Sequence, residues 1–226
     1  MKFRVVFLAA AALAIASAGS AQVRRGTFEF TPFFGEFFGG SFPRGSNALF
    51  ADKVDVDDHY TYGGSFGYYL TSAHEFDFRW AHTDTHFVSP GGSLVFGPSG
   101  QNLADLTINY YMADWSYNFG HSRAVPYFTM GAGAAVLNPG QRTDIPCPGP
   151  DCVEPTSATR FTASIGGGVK VFATPNFGFR FDGRWYETYL NSDSCNTFSH
   201  HGGCCCNNGS NWLGNGEVSG GLIFAF

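Results

Sequence analysis

Charge is scarce in this sequence. Asp, Glu, Lys and Arg make up 14% of its 226 residues, against about 25% in ordinary soluble domains, and lysine occurs only at Lys2, Lys53 and Lys170. A soluble domain of this size needs charged side chains over most of its outside, so a chain this poor in them presents an outside suited to something other than water. The shortage of basic residues argues against nucleic acid, whose binding requires a basic face. With Lys2 and Arg4 set aside, eleven basic residues stand against 18 acidic ones, a net charge of −7. Long apolar runs are missing as well. The run from Val5 to Ala16 is too short to span about 30 Å of hydrocarbon comfortably as a helix. Preceded by Lys2 and Arg4 and followed by Gly19-Ser20-Ala21, it reads as a secretory signal cleaved before Gln22. Residues 22–226 then form one exported domain, and only strands remain as a way to cross a membrane. Cysteine is absent until Cys147.

What is abundant is aromatic and small: 25 Phe and 30 Gly, with Phe, Trp and Tyr at 17%. They are arranged with period two, the pattern of a strand with two unlike faces. Phe28, Phe30, Phe34 and Phe38 alternate with Glu29, Thr31 and Gly35 across Thr27 to Gly39, where Pro32 lacks a ladder donor and marks a local cost or a bulge. Tyr60, Tyr62, Gly64, Phe66, Tyr68 and Leu70 form a second row, and Phe76, Phe78 and Trp80 a third, opposite Glu75, Asp77 and Arg79. Further strands are read over Leu106 to Tyr117, Pro126 to Leu137, Phe161 to Val171, Phe177 to Trp185 and Trp212 to Phe226. That makes eight, with connections alternately long (Gly40 to Asp58, Ser89 to Asn102, Asn138 to Ser157, Asn191 to Asn211) and short. An even strand count with short turns on one side and long loops on the other is the pattern of outer-membrane barrels. The fold expected is an all-β, eight-stranded, antiparallel up-and-down transmembrane barrel.

Alternation alone does not separate such a barrel from a secreted, lipocalin-like soluble one; the content of the faces does. A soluble barrel points its large residues inward. Here the face opposite the aromatics is Gly, Ser, Thr and Asn with charges of both signs. Glu75, Asp77, Asp182 and Glu217 can meet Arg79, Lys170, Arg180 and Arg184 across a narrow lumen, which eight strands leave just wide enough for side chains to fill. A balanced lattice of this kind plugs the lumen, since buried charges persist when paired, and argues against a general pore. Tyr60, Trp80, Trp115, Tyr117, Trp185 and Trp212 fall near strand ends, where aromatic girdles sit.

The chain resembles the outer membrane protein beta-barrel family, the small OmpA- and OmpX-like eight-stranded barrels of Gram-negative bacteria. The resemblance is carried by Thr31-Pro32-Phe33-Phe34-Gly35, the Tyr127 to Ala134 strand, Arg180-Phe181-Asp182-Gly183-Arg184 and the ending Gly221-Leu222-Ile223-Phe224-Ala225-Phe226. It implies residence in the cell outer membrane among lipid and lipopolysaccharide; no peptidoglycan-binding domain is read after the barrel, so the anchoring role of full-length OmpA is not implied. It also implies that Leu222, Phe224 and Phe226 form the signal read by the barrel-assembly machinery.

Local chemistry is limited. Cys195, His200, His201, Cys204, Cys205 and Cys206 form a Cys/His-rich tract that can hold a soft or borderline metal, although exported thiols favour disulfides. Asp52, Asp55, Asp57 and Asp58 form an acidic run without the Gly and Glu spacing of a calcium loop. A rim-located lipid A-modifying enzyme needs a nucleophile with an orienting base and carboxylate; His82, Asp84 and His86, or Ser199 with His200, supply residue types but no diagnostic spacing. The expectation is a monomeric structural or surface-interaction protein without catalytic residues or cofactor, whose loop partner is not legible. Cys147 and Cys152, enclosing Pro148 to Asp151, are expected to form a small disulfide ring. Non-reducing peptide mapping should find them cross-linked; two free thiols would overturn the pairing.

Overall fold

Aromatic and β-branched residues at alternate positions favour strands, and the computed structural model contains one antiparallel sheet. It describes residues 25–42, 54–88, 102–120, 122–140, 157–190 and 212–226. Among these residues ten strands are present: β1 (Phe28–Phe38), β2 (Ser41–Phe42), β3 (Val54–Val56), β4 (His59–Tyr69), β5 (His74–Val88), β6 (Asn102–Asn118), β7 (Ala124–Pro139), β8 (Ala158–Thr174), β9 (Phe177–Tyr189) and β10 (Trp212–Ala225). Eight of them, all but β2 and β3, pair with their neighbours in chain order, and β1 pairs with β10 to close the barrel. The two short strands lie within the stretch 40–58, which the composition marks as loop. They pair with each other, and β3 pairs with the upper end of β5 through Asp55–Val88 and Val56–Phe87.

The register gives the barrel its dimensions. Following partners once around from Phe28 leads through Tyr68, Phe76, Trp115, Met130, Ile165, Trp185 and Gly216 back to β1 at Phe38, ten residues further along. Ten residues of stagger over eight strands correspond to a strand tilt of about 40° with ordinary strand spacings. The same circuit crosses the aromatic and apolar outer surface. Phe34 is 58% exposed and Phe226 67%, and Phe78, Ile165, Phe181 and Leu222 are likewise exposed. An apolar belt that encircles the molecule far exceeds the isolated patches a soluble monomer shows, which removes the secreted soluble barrel from consideration.

Connections at one end are short, at 70–73, 119–123 and 175–176; those at the other are long, at 39–58, 89–101, 140–157 and 190–211. Gly120, at φ +93°, makes the tight turn between β6 and β7. Tyr60, Trp185, Tyr189 and Trp212 lie toward the long-loop end, and Trp115 and Tyr117 at the short-turn end, where His74 packs against both rings. Trp80 sits mid-strand rather than at an end. The β5 strand also runs on to Val88, eight residues beyond the part legible as aromatic alternation, because its upper outward residues are polar: His82, Asp84 and His86.

Pro32 produces no bulge. Phe28 exchanges both backbone hydrogen bonds with Phe226 (2.9 and 3.0 Å), so even-numbered residues of β1 aim their backbone at β10. Pro32 is one of these, and it offers no N–H to the carbonyl of Leu222 opposite. Pairing runs through Glu29–Ala225 and Phe30–Phe224 and resumes in the same register at Phe33–Gly221. The effect is a local interruption of the closing seam, with the register unchanged on either side.

Candidate functional site

Inward-facing positions of the eight strands fill the lumen in layers. At the short-turn end Tyr69, Val125, Phe172, Ile223 and Ala225 form an apolar floor. Above it Lys170, from β8, donates to both carboxylates of Glu29 (2.9 and 3.0 Å) and Glu75 (2.8 and 2.7 Å). Tyr69 donates its hydroxyl to Glu29 (2.6 Å), Thr31 donates to the same carboxylate (3.1 Å), and Asn118 donates to Glu75 (3.1 Å).

The next layer is built on Arg180 of β9. Its Nε bonds Asp182 (2.8 Å) and the Tyr127 hydroxyl (2.9 Å), while Tyr127 donates to Asp182 in turn. Arg180 Nη1 lies 3.5 Å from Asp77 and 3.7 Å from Glu29, and Ser116 donates to Asp77 (3.0 Å). Higher still, Arg79 pairs with Glu217, lies 3.9 Å from Asp182, and rests its guanidinium 3.7 Å from the centre of the Phe33 ring. Arg184 pairs with Asp114 at 2.7 Å and bonds Ser164.

All eight charged residues expected to meet in the lumen are therefore there, each no more than 6% exposed. Two members were not picked out as such. Glu29 lies on the inward parity of β1 and serves Lys170; Asp114 is inward on β6. Six carboxylates thus face four cations, and each of Lys170, Arg180 and Arg79 serves more than one. Glycines make room for them. A Cβ on Gly131 would lie 1.8 Å from Asp114 Oδ1, and one on Gly67 would lie 2.6 Å from Glu75 and 2.7 Å from Asp77.

The lumen is not polar throughout. Tyr110 stacks on Tyr186 with ring centres 4.2 Å apart, Tyr186 donates to Glu217 (3.0 Å), and Asn215 donates to the Tyr110 hydroxyl (2.9 Å). Beyond these tyrosines the interior toward the long loops is mainly apolar: Phe37, Val56, Phe87, Leu106, Ile108, Leu137, Leu190 and Leu213 pack there, all buried, with Thr83, Thr85 and Thr188 as uncharged polar neighbours. The charged lattice expected from the sequence is thus confined to the lower and middle layers. The apolar row of β6 faces inward, whereas the aromatic rows read on β1 (Phe28, Phe30, Phe34, Phe38), β4 (Tyr62, Phe66, Tyr68), β5 (Phe76, Phe78) and β9 (Phe179, Phe181, Trp185) face outward.

Outside, near the long-loop end, β5 and β6 carry a polar patch. His82 lies 3.3 Å from Asp84 and 2.9 Å from Asn109, Thr107 donates to Asp84 (2.7 Å), and His86 lies 2.9 Å from Asp105. Asp84 separates His82 from Thr107, so the imidazole orients no nucleophile there. Leu222, Phe224 and Phe226 face outward, and the Phe226 and Phe28 rings stack at 6.2 Å. Asp57 and Asp58 bind locally at the rim, Asp58 accepting from Gly39 N (2.9 Å). Cys147, Cys152, Cys195, Ser199, His200, His201, Cys204, Cys205, Cys206 and Asp52 lie outside the described residues.

Breaking the lattice from one side leaves buried charge uncompensated, which costs about 3–5 kcal/mol. Lys170→Met is expected to destabilise the barrel by about that amount in urea unfolding from lipid vesicles. The triple variant Glu29→Gln, Glu75→Gln, Lys170→Met should recover most of it, and a triple variant no more stable than the single would overturn the pairing.

Similarity to other proteins follows the same architecture. The Outer membrane protein beta-barrel domain family matches residues 5–204. Neisserial surface protein A superimposes with a TM-score of 0.52 at 15% identity, over 89% of this chain and 100% of that one. The outer membrane protein OprG from Pseudomonas aeruginosa gives 0.53 at 12% identity, over 92% and 99%. These likenesses show the fold alone. No curated protein matches by sequence. With residues 5–204 matched and the closed eight-stranded barrel in place, the chain belongs to the outer membrane protein beta-barrel domain family and is a small barrel of the outer membrane.

Proposed function

We propose that this protein is exported, cleaved before Gln22, and serves the outer membrane as a sealed barrel that supports its long loops for contacts at the cell surface. The observation that carries this reading is the filled lumen. An eight-stranded barrel is narrow enough for its own side chains to fill, and here the lower and middle layers are occupied by buried ion pairs centred on Lys170, Arg180, Arg79 and Arg184, with a packed, mainly apolar core above. Neither layer leaves a reason for a continuous aqueous path. Catalysis is disfavoured by the order of groups at the rim, where a carboxylate rather than a nucleophile lies beside His82. Lipid and lipopolysaccharide surround the belt, and the four long loops, rich in Gly and Asn, are the natural contact surface.

Reconstituted in planar bilayers, the protein should show no steady conductance, whereas a persistently open channel would overturn the sealed reading. A binding screen against cell-surface and extracellular components should lose its hits when residues 191–211 are replaced by a short turn; identical profiles would exclude that loop as the contact surface.

Leu222, Phe224 and Phe226 are proposed as the signal read by the assembly machinery. Removing Phe226 also takes away two backbone bonds to Phe28. The folded fraction in the outer membrane, measured by heat-modifiable gel migration, should fall while unassisted refolding into vesicles falls less. An unchanged fraction in cells would sink the assignment.

A further inference from the structure

The outer wall has a notch where the barrel closes. On the outward row crossing β1, β10 and β9, Gly220 stands between Phe34 and Phe181, its partners on either side. The next outward row toward the short-turn end holds Leu222 and Phe179. The missing side chain at Gly220 contributes to an open groove of about 280 Å³ walled by these four apolar residues, with Gly220 and Gly221 in its floor. It opens onto the exposed apolar belt, so it is continuous with the surface that already meets lipid. Its lining carries no charged or hydroxyl side chain, so it has nothing with which to hold a headgroup, and hydrocarbon is the chemistry that fits. It also coincides with the seam interruption: Pro32 borders it, and there the Leu222 carbonyl faces a residue without an N–H.

We propose that this notch is a fixed site for one acyl chain of a phospholipid in the leaflet on the short-turn side. Leu222 and Phe179 place the notch toward that end of β10 and β9, so a chain descending from the opposite leaflet reaches it only at its tip. The bound chain fills the space between the Phe34 and Phe181 rings and shields the interrupted stretch of the ladder from the mobile lipid around it. The site rests on the membrane-facing wall and not on what the loops bind, so it stands apart from the proposed surface role.

Gly220 provides the test. A Cβ built there meets only the Phe181 ring, at 3.7 Å, an ordinary contact, so a larger side chain occupies the floor of the notch, between the Phe34 and Phe181 rings, without disturbing the backbone. Gly183, also outward, has nothing within 4 Å of its Cβ position and serves as the control. The full mature protein is refolded in vesicles of phosphatidylethanolamine and phosphatidylglycerol, transferred to detergent and weighed by native mass spectrometry. The protein should retain one phospholipid, Gly220→Leu should reduce that retained fraction at least fivefold, and Gly183→Leu should leave it unchanged. Phe181→Ala, which removes one wall without adding bulk, should also lose the lipid and covers the case in which Gly220→Leu does not fold. Equal retention by the protein and by a folded Gly220→Leu, or by Phe181→Ala where Gly220→Leu does not fold, would overturn the site. Preferential retention of lipid A when lipopolysaccharide is added would overturn the leaflet assignment.

Discussion

A peptide group facing hydrocarbon has no water to fall back on, and every strand here is arranged around that fact. In a membrane the ladder must close on itself because an open edge leaves a column of unsatisfied N–H and C=O groups, each costing several kcal/mol. The β1–β10 pairing is therefore the contact on which the other seven depend. It also explains why Pro32 is tolerated. The proline removes a single donor at a single position, and because the register is the same above and below it, the remaining pairs of the seam stay aligned.

Closure then dictates the interior. Eight strands staggered by ten residues enclose a space narrow enough that side chains from opposite walls touch, and the chain fills it with two different media. In the lower and middle layers, six carboxylates are held by four cations, with Tyr69, Tyr127 and Tyr186 supplying hydroxyls between them. Toward the loops the filling is that of an ordinary protein core. The stacked Tyr110 and Tyr186 divide the two: their rings pack as apolar bodies while their hydroxyls bond Asn215 and Glu217. Small residues such as Gly67 and Gly131 are the counterpart of the large charged ones, since each stands where any Cβ would collide with a carboxylate.

Most of this architecture was legible because alternation reports on face. Strand count, the order of long and short connections, and the inward placement of Glu75, Asp77, Arg79, Lys170, Arg180, Asp182, Arg184 and Glu217 all follow from parity. What parity does not report is what lies on the other side of the lumen. Asp114 shares a row with Leu106, Ile108, Tyr110 and Met112, which reads as lipid-facing until the register shows these residues enclosed by seven other strands. Glu29 has the right parity, yet its partnership with Lys170, 141 positions away, depends on the stagger and so on pairings no local pattern encodes. The upper half of β5 is marked by a change of chemistry on its outer row, where His82, Asp84 and His86 replace the aromatics and the strand runs on to the connection that begins at Ser89.

That polar outer surface has a further consequence. Charged side chains are poorly tolerated on a lipid face near the bilayer centre and cheaply accommodated beyond it, so the upper parts of β5 and β6 stand clear of the hydrocarbon, with β3 paired to the upper end of β5. On the opposite wall, Tyr189 and Trp212 still present aromatic rings at the strand ends. The mouth of the barrel is consequently oblique, like the cut end of a quill, and the connection at 89–101 springs from a taller parapet than the one at 190–211. The two sides of the rim therefore offer the loops footings at different heights.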